Sequence, residues 1–458
     1  RSGERRLLLV LGDLVAASTA TFIALLFLAQ LDWLGLSAQF VRERAGWFVL
    51  LPTVWLLLML NQYDVHRAAS WRQTLRGVLL AAAAGVVLYS VVYFTSEPGS
   101  LPRRGVLYFL LATTLLTLTW RLIYVRIFTA PAFLRRVLIA GAGLSGRTLL
   151  SVLRDLRPQP FFTAGLVDDD PAKQGTVIEG VPVLGDSPHL LQLVQEHDVS
   201  EVVVAITGRM NGGMFQALLD AQERGVEITR MAVTYEDLLG RVPIRHLESD
   251  WVLRSFVDEV RVSGVYLLAK RLIDLCGALA GLFTLALFFP WVAVAILLES
   301  GRPILFPQAR LGQGGRPYSV IKFRTMRQDA EADGQAHWAK AGDPRTTRVG
   351  AILRKMHLDE FPQFWNVLTG EMSLVGPRPE RPELVAELEK QIPFYRARLL
   401  AKPGLSGWAQ INYGKGASVE GSAEKLEYDL YYIKHRNLWM DLWILLRTIG
   451  SVLGLRGV

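Results

Sequence analysis

Two adjacent carboxylates, Asp359 and Glu360, stand in a cationic neighbourhood, with Arg348, Arg354 and Lys355 before them and Arg378 and Arg381 after. Such a set suits phosphate chemistry, because cations hold a diphosphate while a carboxylate attacks phosphorus or binds a metal. Lys322 and Arg324 lie two apart in IKFRTM (321–326), so on a strand they share one face. They are candidate phosphate contacts, with Arg348, Arg354 and Arg378 completing a cradle. Arginine suits that task through its bidentate geometry. The competing readings are plain ones: a solvated surface or a lipid head-group contact for any single cation, and helix capping ahead of FPQFWNVL for one of the acids. GPRP (376–379) reads as a rigid turn.

These residues must be positioned beside a membrane. The chain has 458 residues, enough for two to four domains. It is 51% hydrophobic and 20% charged, with a mean hydropathy of +0.27. Net charge is +8. A bilayer explains that excess better than nucleic acid does, since basic residues collect on the cytoplasmic flanks of membrane helices. The single cysteine, Cys276, sits in an apolar run and excludes a disulfide framework or a cysteine metal site.

Four apolar segments open the chain, at about 7–31, 46–60, 75–95 and 105–128. Each is near the length that crosses about 30 Å of hydrocarbon, the second being the shortest and interrupted by Pro52. Arg1, Arg5, Arg6, Arg67, Arg72, Arg76, Arg121, Arg126, Arg135 and Arg136 fall at the N-terminus, one loop and the exit. The alternate loops hold only Arg42, Arg44, Arg103 and Arg104. Both ends of this bundle are therefore expected in the cytoplasm. Asp13 is the only acid of the first segment, which favours an anchor or dimerisation unit over a transport path.

Residues 135–245 alternate strand-like and helix-like runs, as a parallel α/β domain does. VLIA (137–140) leads into Gly141, Gly143 and Gly146, the dinucleotide-fingerprint spacing, with Asp168 as the first candidate for its acid. The loop fits a nucleotide-binding regulatory module and an empty structural one equally. Tyr266 and Lys270 have the Tyr-x-x-x-Lys spacing of short-chain dehydrogenases but fall outside this unit, so the match reads as accidental.

Residues 272–298 are apolar, yet Lys270 and Arg271 precede them and Arg302 and Arg310 follow. Cationic flanks at both ends, with Pro290 to bend the helix, predict a re-entrant segment that enters and leaves by one face. Asp274 is expected to pair with Lys270 or Arg271. The C-terminal run 437–455, with Trp439, Asp441, Trp443 and Arg447, suits an interfacial helix, and 391–414 a further head-group contact.

With these blocks in order, the chain resembles the bacterial sugar transferases, the large monotopic phosphoglycosyltransferases of the polyprenyl-phosphate hexose-1-phosphate transferase type. The resemblance rests on ESGRPILFPQARLGQGGRPYSVIKFRTM (299–326), LDEFPQFWNVL (358–368), EMSLVGPRPE (371–380) and KPGLSGWAQINYG (402–414). It implies a four-helix transmembrane bundle (1–134), a cytoplasmic Rossmann-like domain (135–250) and a catalytic domain (251–458) with a re-entrant helix at about 266–300 and an interfacial C-terminal helix. It also implies transfer of hexose 1-phosphate, galactose or glucose, from a UDP-hexose to undecaprenyl phosphate, with release of UMP, at the cytoplasmic face of a bacterial inner membrane. The step would begin O-antigen, capsule or exopolysaccharide synthesis. Asp359 would be the nucleophile. Glu360 would be a metal ligand or the base for the lipid phosphate, with Asp359 and Glu360 holding Mg²⁺. Pro377, Pro379 and Glu380 would lie beside the nucleotide, and a homodimer is expected. Two departures stand out: His357 where the family commonly has a small hydroxyl residue, and Phe289 before Pro290 where Ser-Pro is common. The rival readings are a non-catalytic scaffold of a polysaccharide assembly complex and an NAD-dependent nucleotide-sugar dehydratase or epimerase.

Overall fold

The computed structural model describes residues 2–30, 35–63, 68, 71–95, 103–128, 134–156, 159–247, 263–328, 330, 343–414 and 418–452. Arg1, Arg67, the domain boundary at 250–251 and the end of the C-terminal run at 453–455 lie outside the described residues. The chain divides into two compact units, Arg1–Met231 and Ala232–Val458.

In the first unit, helices Ser2–Ala29, Trp47–Leu58, Trp71–Thr95 and Arg103–Phe128 form the expected four-helix bundle. Three are long and apolar enough to cross a membrane. The second has only 12 helical residues, about 18 Å at the α-helical rise and so too short to cross alone. Arg121, read from the sequence as a charge at the bundle exit, is buried instead. Its guanidinium pairs with Asp13 on both oxygens and donates to the Gln62 carbonyl at 3.0 Å. An ion in hydrocarbon cannot be left without a partner, and these two residues satisfy each other. Gly12 leaves room for the Trp120 ring, which would lie 2.1 Å from a Cβ there.

The same unit contains a six-stranded sheet in the order β3-β4-β2-β1-β5-β6. Its strands are β1 (Arg136–Ala140), β2 (Phe162–Val167), β3 (Val177–Ile178), β4 (Val181–Gly185), β5 (Glu201–Val204) and β6 (Glu227–Arg230). All pair in parallel except the β3–β4 hairpin. Buried aliphatic runs such as Leu138–Ala140 and Val202–Val203 make the strands apolar on both faces, as crossover helices require. This is the doubly wound, Rossmann-like arrangement, with the strand order reversing between β1 and β5.

The second unit is built round the 37-residue helix Gly264–Ser300, which continues through Pro290. Proline lacks an N–H, so the Ala286 carbonyl loses its usual helical partner. On this helix rest the hairpin β7 (Leu305–Leu311) with β8 (Pro317–Phe323) and the small parallel pair β9 (Ser373–Val375) with β10 (Gly404–Ser406). The helix Val419–His435 adds Leu426, Leu430 and Ile433 to the core. Val242 and Ile244, before the boundary read at 250, are buried in this same core, and the Val242 N–H bonds to the Glu427 carbonyl at 3.0 Å. The stretch 232–247 therefore packs with the second unit.

Candidate active site

The carboxylate pair is held by a segment that runs back along the long helix. At the far end, Glu299 accepts the N–H groups of Arg348 (2.6 Å) and Val349 (2.8 Å), capping the helix Arg348–Lys355. Val349, Leu353 and Leu358 then pack with Leu285, Phe289, Val292, Ile296 and Phe323. The Phe289 ring lies 5.7 Å from that of Phe323, so the residue standing where Ser-Pro is common is a packing residue here. Next, the Phe364 ring lies 2.4 Å from where a Cβ on Gly281 would be, and Leu374 does the same at Gly277. Finally, Arg271 donates to the carbonyls of Val367 (2.8 Å) and Leu368 (2.7 Å). Both halves of the long helix thus grip one domain, and Asp359 and Glu360 lie between the Leu358 and Phe364 contacts.

The pair occupies a 3-10 turn, Leu358–Gln363, entered through His357 in the left-handed region at φ 56°. His357 is exposed. Lys322 donates to Glu360 at 3.1 Å, and Arg378 bonds to the same carboxylate through both Nη atoms. Burial alone would raise the Glu360 pKa, but the Arg378 and Lys322 cations hold it well below the carboxylate range. Asp359 has no hydrogen-bond partner among the described residues and is half-buried. Its carboxyl is pushed up, first by burial and then by the neighbouring Glu360 charge, against the pull of Lys322, Arg354 and Arg378. One carboxylate is pinned by cations while its neighbour is uncommitted. Environments that push two pKa values apart are a mark of divided roles.

The structure brings Lys322, Arg354 and Arg378 to the pair, but not Arg324 or Arg348. Arg354 is steadied by the hydroxyls of Thr325 (2.9 Å) and Thr346 (3.3 Å). Arg324 lies one residue beyond β8 and is buried. Its guanidinium caps the end of the long helix at the carbonyls of Ser300 (2.8 Å), Gly301 and Arg302 (2.8 Å). The strand-face expectation fails because the strand ends at Phe323 and Arg324 turns away. Arg348 is exposed at the opposite end of its helix.

Pro377, Pro379 and Glu380 form one wall of a cleft with Arg378, Gly312 and Leu399. The loop is fixed backbone to backbone: Gly376 bonds to the Ser406 carbonyl, Gly404 to the Pro377 carbonyl, and a Cβ on Gly404 would lie 2.1 Å from the Gly376 nitrogen. Two arginines that sequence reading did not place here hold its carbonyls. Arg310 donates to Pro379 (3.2 Å), and Arg398 donates to Arg378 (3.0 Å) while paired with Asp429 at 2.8 Å. Arg398 belongs to the stretch expected at lipid head groups, yet it is buried.

Two side-chain pairings differ from expectation. Asp274 caps β9, accepting from Ser373 Oγ and the Leu374 N–H, both at 2.9 Å, rather than pairing with Lys270 or Arg271. Tyr266 and Lys270 both donate to Asp441 at 2.9 Å, so that dehydrogenase-like spacing is a structural tie to the C-terminal helix. In the first unit, Gly141 takes a φ of 110° after β1, and a Cβ on Gly146 would lie 2.1 Å from the Gly141 carbonyl oxygen; Gly143 faces open space. Asp168 accepts the Ala142 N–H of this loop at 2.7 Å.

A metal site built wholly from protein is absent among the described residues, where three or more metal-ligating side chains do not cluster. The pair Asp359–Glu360 still fits Mg²⁺, which commonly takes one or two carboxylates and completes its shell with substrate phosphates and water.

Residues 265–454 match the family described as Bacterial sugar transferase, and residues 58–232 match that described as CoA-binding domain. A UDP-N-acetylgalactosamine-undecaprenyl-phosphate N-acetylgalactosaminephosphotransferase of Aeromonas hydrophila is 43% identical over 221 residues, covering 48% of this chain and 50% of the relative. A UDP-glucose:undecaprenyl-phosphate glucose-1-phosphate transferase of Caulobacter vibrioides is 46% identical over 41% of this chain and 70% of its own length. A UDP-galactose-lipid carrier transferase of Erwinia amylovora is 30% identical over 70% of this chain and 68% of its own. The chain spans 50%, 57% and 58% of the length of the first curated relatives it matches.

Proposed function

The chain belongs to the bacterial sugar transferase family, and from that premise we propose that it transfers a hexose 1-phosphate from a UDP-hexose to undecaprenyl phosphate. The observation that carries the reading is the contrast within the pair: Glu360 pinned by Lys322 and Arg378, Asp359 uncommitted beside it. In the first step an Asp359 oxygen attacks the phosphorus bearing the sugar. The bond from that phosphorus to the bridging oxygen breaks, and UMP leaves with its electron pair. The enzyme keeps the sugar phosphate as an aspartyl phosphate. In the second step an oxygen of undecaprenyl phosphate attacks the same phosphorus and the Asp359 carboxylate is restored.

Lys322, Arg354 and Arg378 offset the repulsion between carboxylate and diphosphate, and Arg310 and Arg398 set the loop that carries Arg378. Mg²⁺, held by Asp359 and Glu360 when bound, would supply further charge neutralisation to the diphosphate. Support for a helix that enters and leaves by one membrane face is that Glu299 at its end and Arg271 near its start both bond the same segment, 348–368. On this reading the catalytic unit faces the cytoplasm of a bacterial inner membrane and the protein works as a homodimer, opening synthesis of an O-antigen, capsule or exopolysaccharide. Galactose or glucose is the expected sugar. The printed name of the Aeromonas relative adds N-acetylgalactosamine as a second candidate. The test is UMP release by purified protein with undecaprenyl phosphate, Mg²⁺ and a panel of UDP-sugars. Release with one or two sugars, lost in Asp359→Asn, supports the reading. A folded wild-type protein that releases no UMP from any sugar points instead to a scaffold.

A further inference from the structure

The helix Arg348–Lys355 carries an apolar strip of which only half is used. Val349 and Leu353 pack onto the long helix. Ile352 and Met356, one turn apart on the adjoining strip at 100° per residue, are 60% and 53% exposed. Exposed Arg348 and Lys355 border that strip on its outer side. Beyond the carboxylate pair, Trp365 is 52% exposed. Uncovered apolar side chains therefore bracket the reacting carboxylate: Met356 three residues before Asp359, Trp365 six after. The strip is continuous through Leu353 with the long helix, whose outward Phe283, Leu287 and Trp291 are also exposed.

We propose that Ile352 and Met356, with Trp365, seat isoprene units of the acceptor lipid beyond its first two and thereby set its chain-length preference. This rests on the transferase reading above. The acceptor is an amphiphile with an anionic head and a long run of apolar, methyl-branched units. The strip matches both parts, with apolar contact at Ile352 and Met356 and positive charge at Lys355, at the end of the helix that leads to Asp359. It also leads to Asp359, where the acceptor phosphate must arrive, whereas general bilayer contact requires no such alignment.

The test uses the full chain in detergent micelles and again in nanodiscs, with undecaprenyl phosphate and a two-isoprene phosphate as paired acceptors. The double variant Ile352→Gln/Met356→Gln is compared with wild type. Its KM for undecaprenyl phosphate is expected to rise about tenfold, from the lost burial of two apolar side chains. Its KM for the short acceptor changes far less. UMP release on mixing with UDP-sugar alone, a half-reaction no acceptor enters, keeps its rate and shows that the variant folds. Equal KM changes for both acceptors, or no change for either, overturn the proposal. So does a variant that leaves the nanodisc while keeping the wild-type chain-length ratio, which assigns the strip to bulk lipid. Failure of wild type to release UMP from any UDP-sugar would instead sink the transferase reading itself.

Discussion

Replacing Arg324 by alanine separates a structural cation from a catalytic one. The guanidinium is 6% exposed and serves three backbone carbonyls at the end of the long helix, together with Ser300 Oγ at 3.0 Å. Hydrogen bonds to a charged group are worth roughly 1.5–3 kcal/mol each. Gln328 also reaches the Arg302 carbonyl at 2.7 Å and recovers part of the loss. The four bonds set an upper range of about 6–12 kcal/mol. With Gln328 and water serving the freed carbonyls, a net destabilisation of at least about 3 kcal/mol is expected, which lowers Tm by roughly 6 °C or more for a unit of this size. Arg324→Lys, with one compact head in place of a fork, recovers part of that. Thermal unfolding in detergent reads the loss, and UMP release below the transition reads function. The KM for UDP-sugar is expected to stay within about twofold, less than 0.5 kcal/mol of binding. An unchanged Tm with a KM raised tenfold or more would refute the reasoning and return Arg324 to the phosphate cradle.

Three further outcomes follow from the same contacts. On the proposed mechanism the reacting form of Asp359 is the carboxylate, and burial and Glu360 raise its pKa, so UMP release is expected to fall as pH drops through that raised value. Glu360→Gln removes a like charge and should move the acid limb of the residual rate to lower pH; a limb that stays in place contradicts the assignment. Glu427, partly buried against Tyr235 (3.3 Å) and Arg241 (3.4 Å), is pushed up by that burial to about 7. A carboxyl with a raised folded pKa adds stability below its ordinary range and loses it as pH rises to about 7, so Glu427→Gln should melt higher than wild type at pH 8 and equally at pH 4. In the bundle, Asp13→Ala strands the buried Arg121 and should cost about 3 kcal/mol, while Asp13→Leu/Arg121→Met recovers much of it, measured by thermal unfolding.

Local patterns carried what the sequence made legible. Asp359 and Glu360 are neighbours, and Lys322 reaches Glu360 from β8. Gly141, Gly143 and Gly146 sit at the strand-to-helix turn that their spacing marks. What escaped depended on distant partners. Arg310 and Arg398 bond to carbonyls 69 and 20 residues away, and no spacing announces a carbonyl acceptor. Arg121 meets Asp13 across 108 residues, so it read as a flanking charge. Arg324 was misplaced because period-two alternation holds only while the strand lasts, and β8 stops one residue earlier. Asp274 was assigned to nearby cations, whereas β9 offered a hydroxyl and a backbone N–H that needed an acceptor.

The central claim is a covalent bond between Asp359 and the sugar phosphate. It is tested most directly by mass spectrometry of the purified protein, quenched after mixing with UDP-sugar and Mg²⁺ in the absence of undecaprenyl phosphate. The account predicts a mass increase equal to one hexose phosphate on the peptide containing Asp359, with UMP released alongside. That adduct should vanish on adding undecaprenyl phosphate and be absent in Asp359→Asn. UMP that appears only when the lipid is present, with no adduct at any time, would mean direct transfer between the two substrates and would contradict the account.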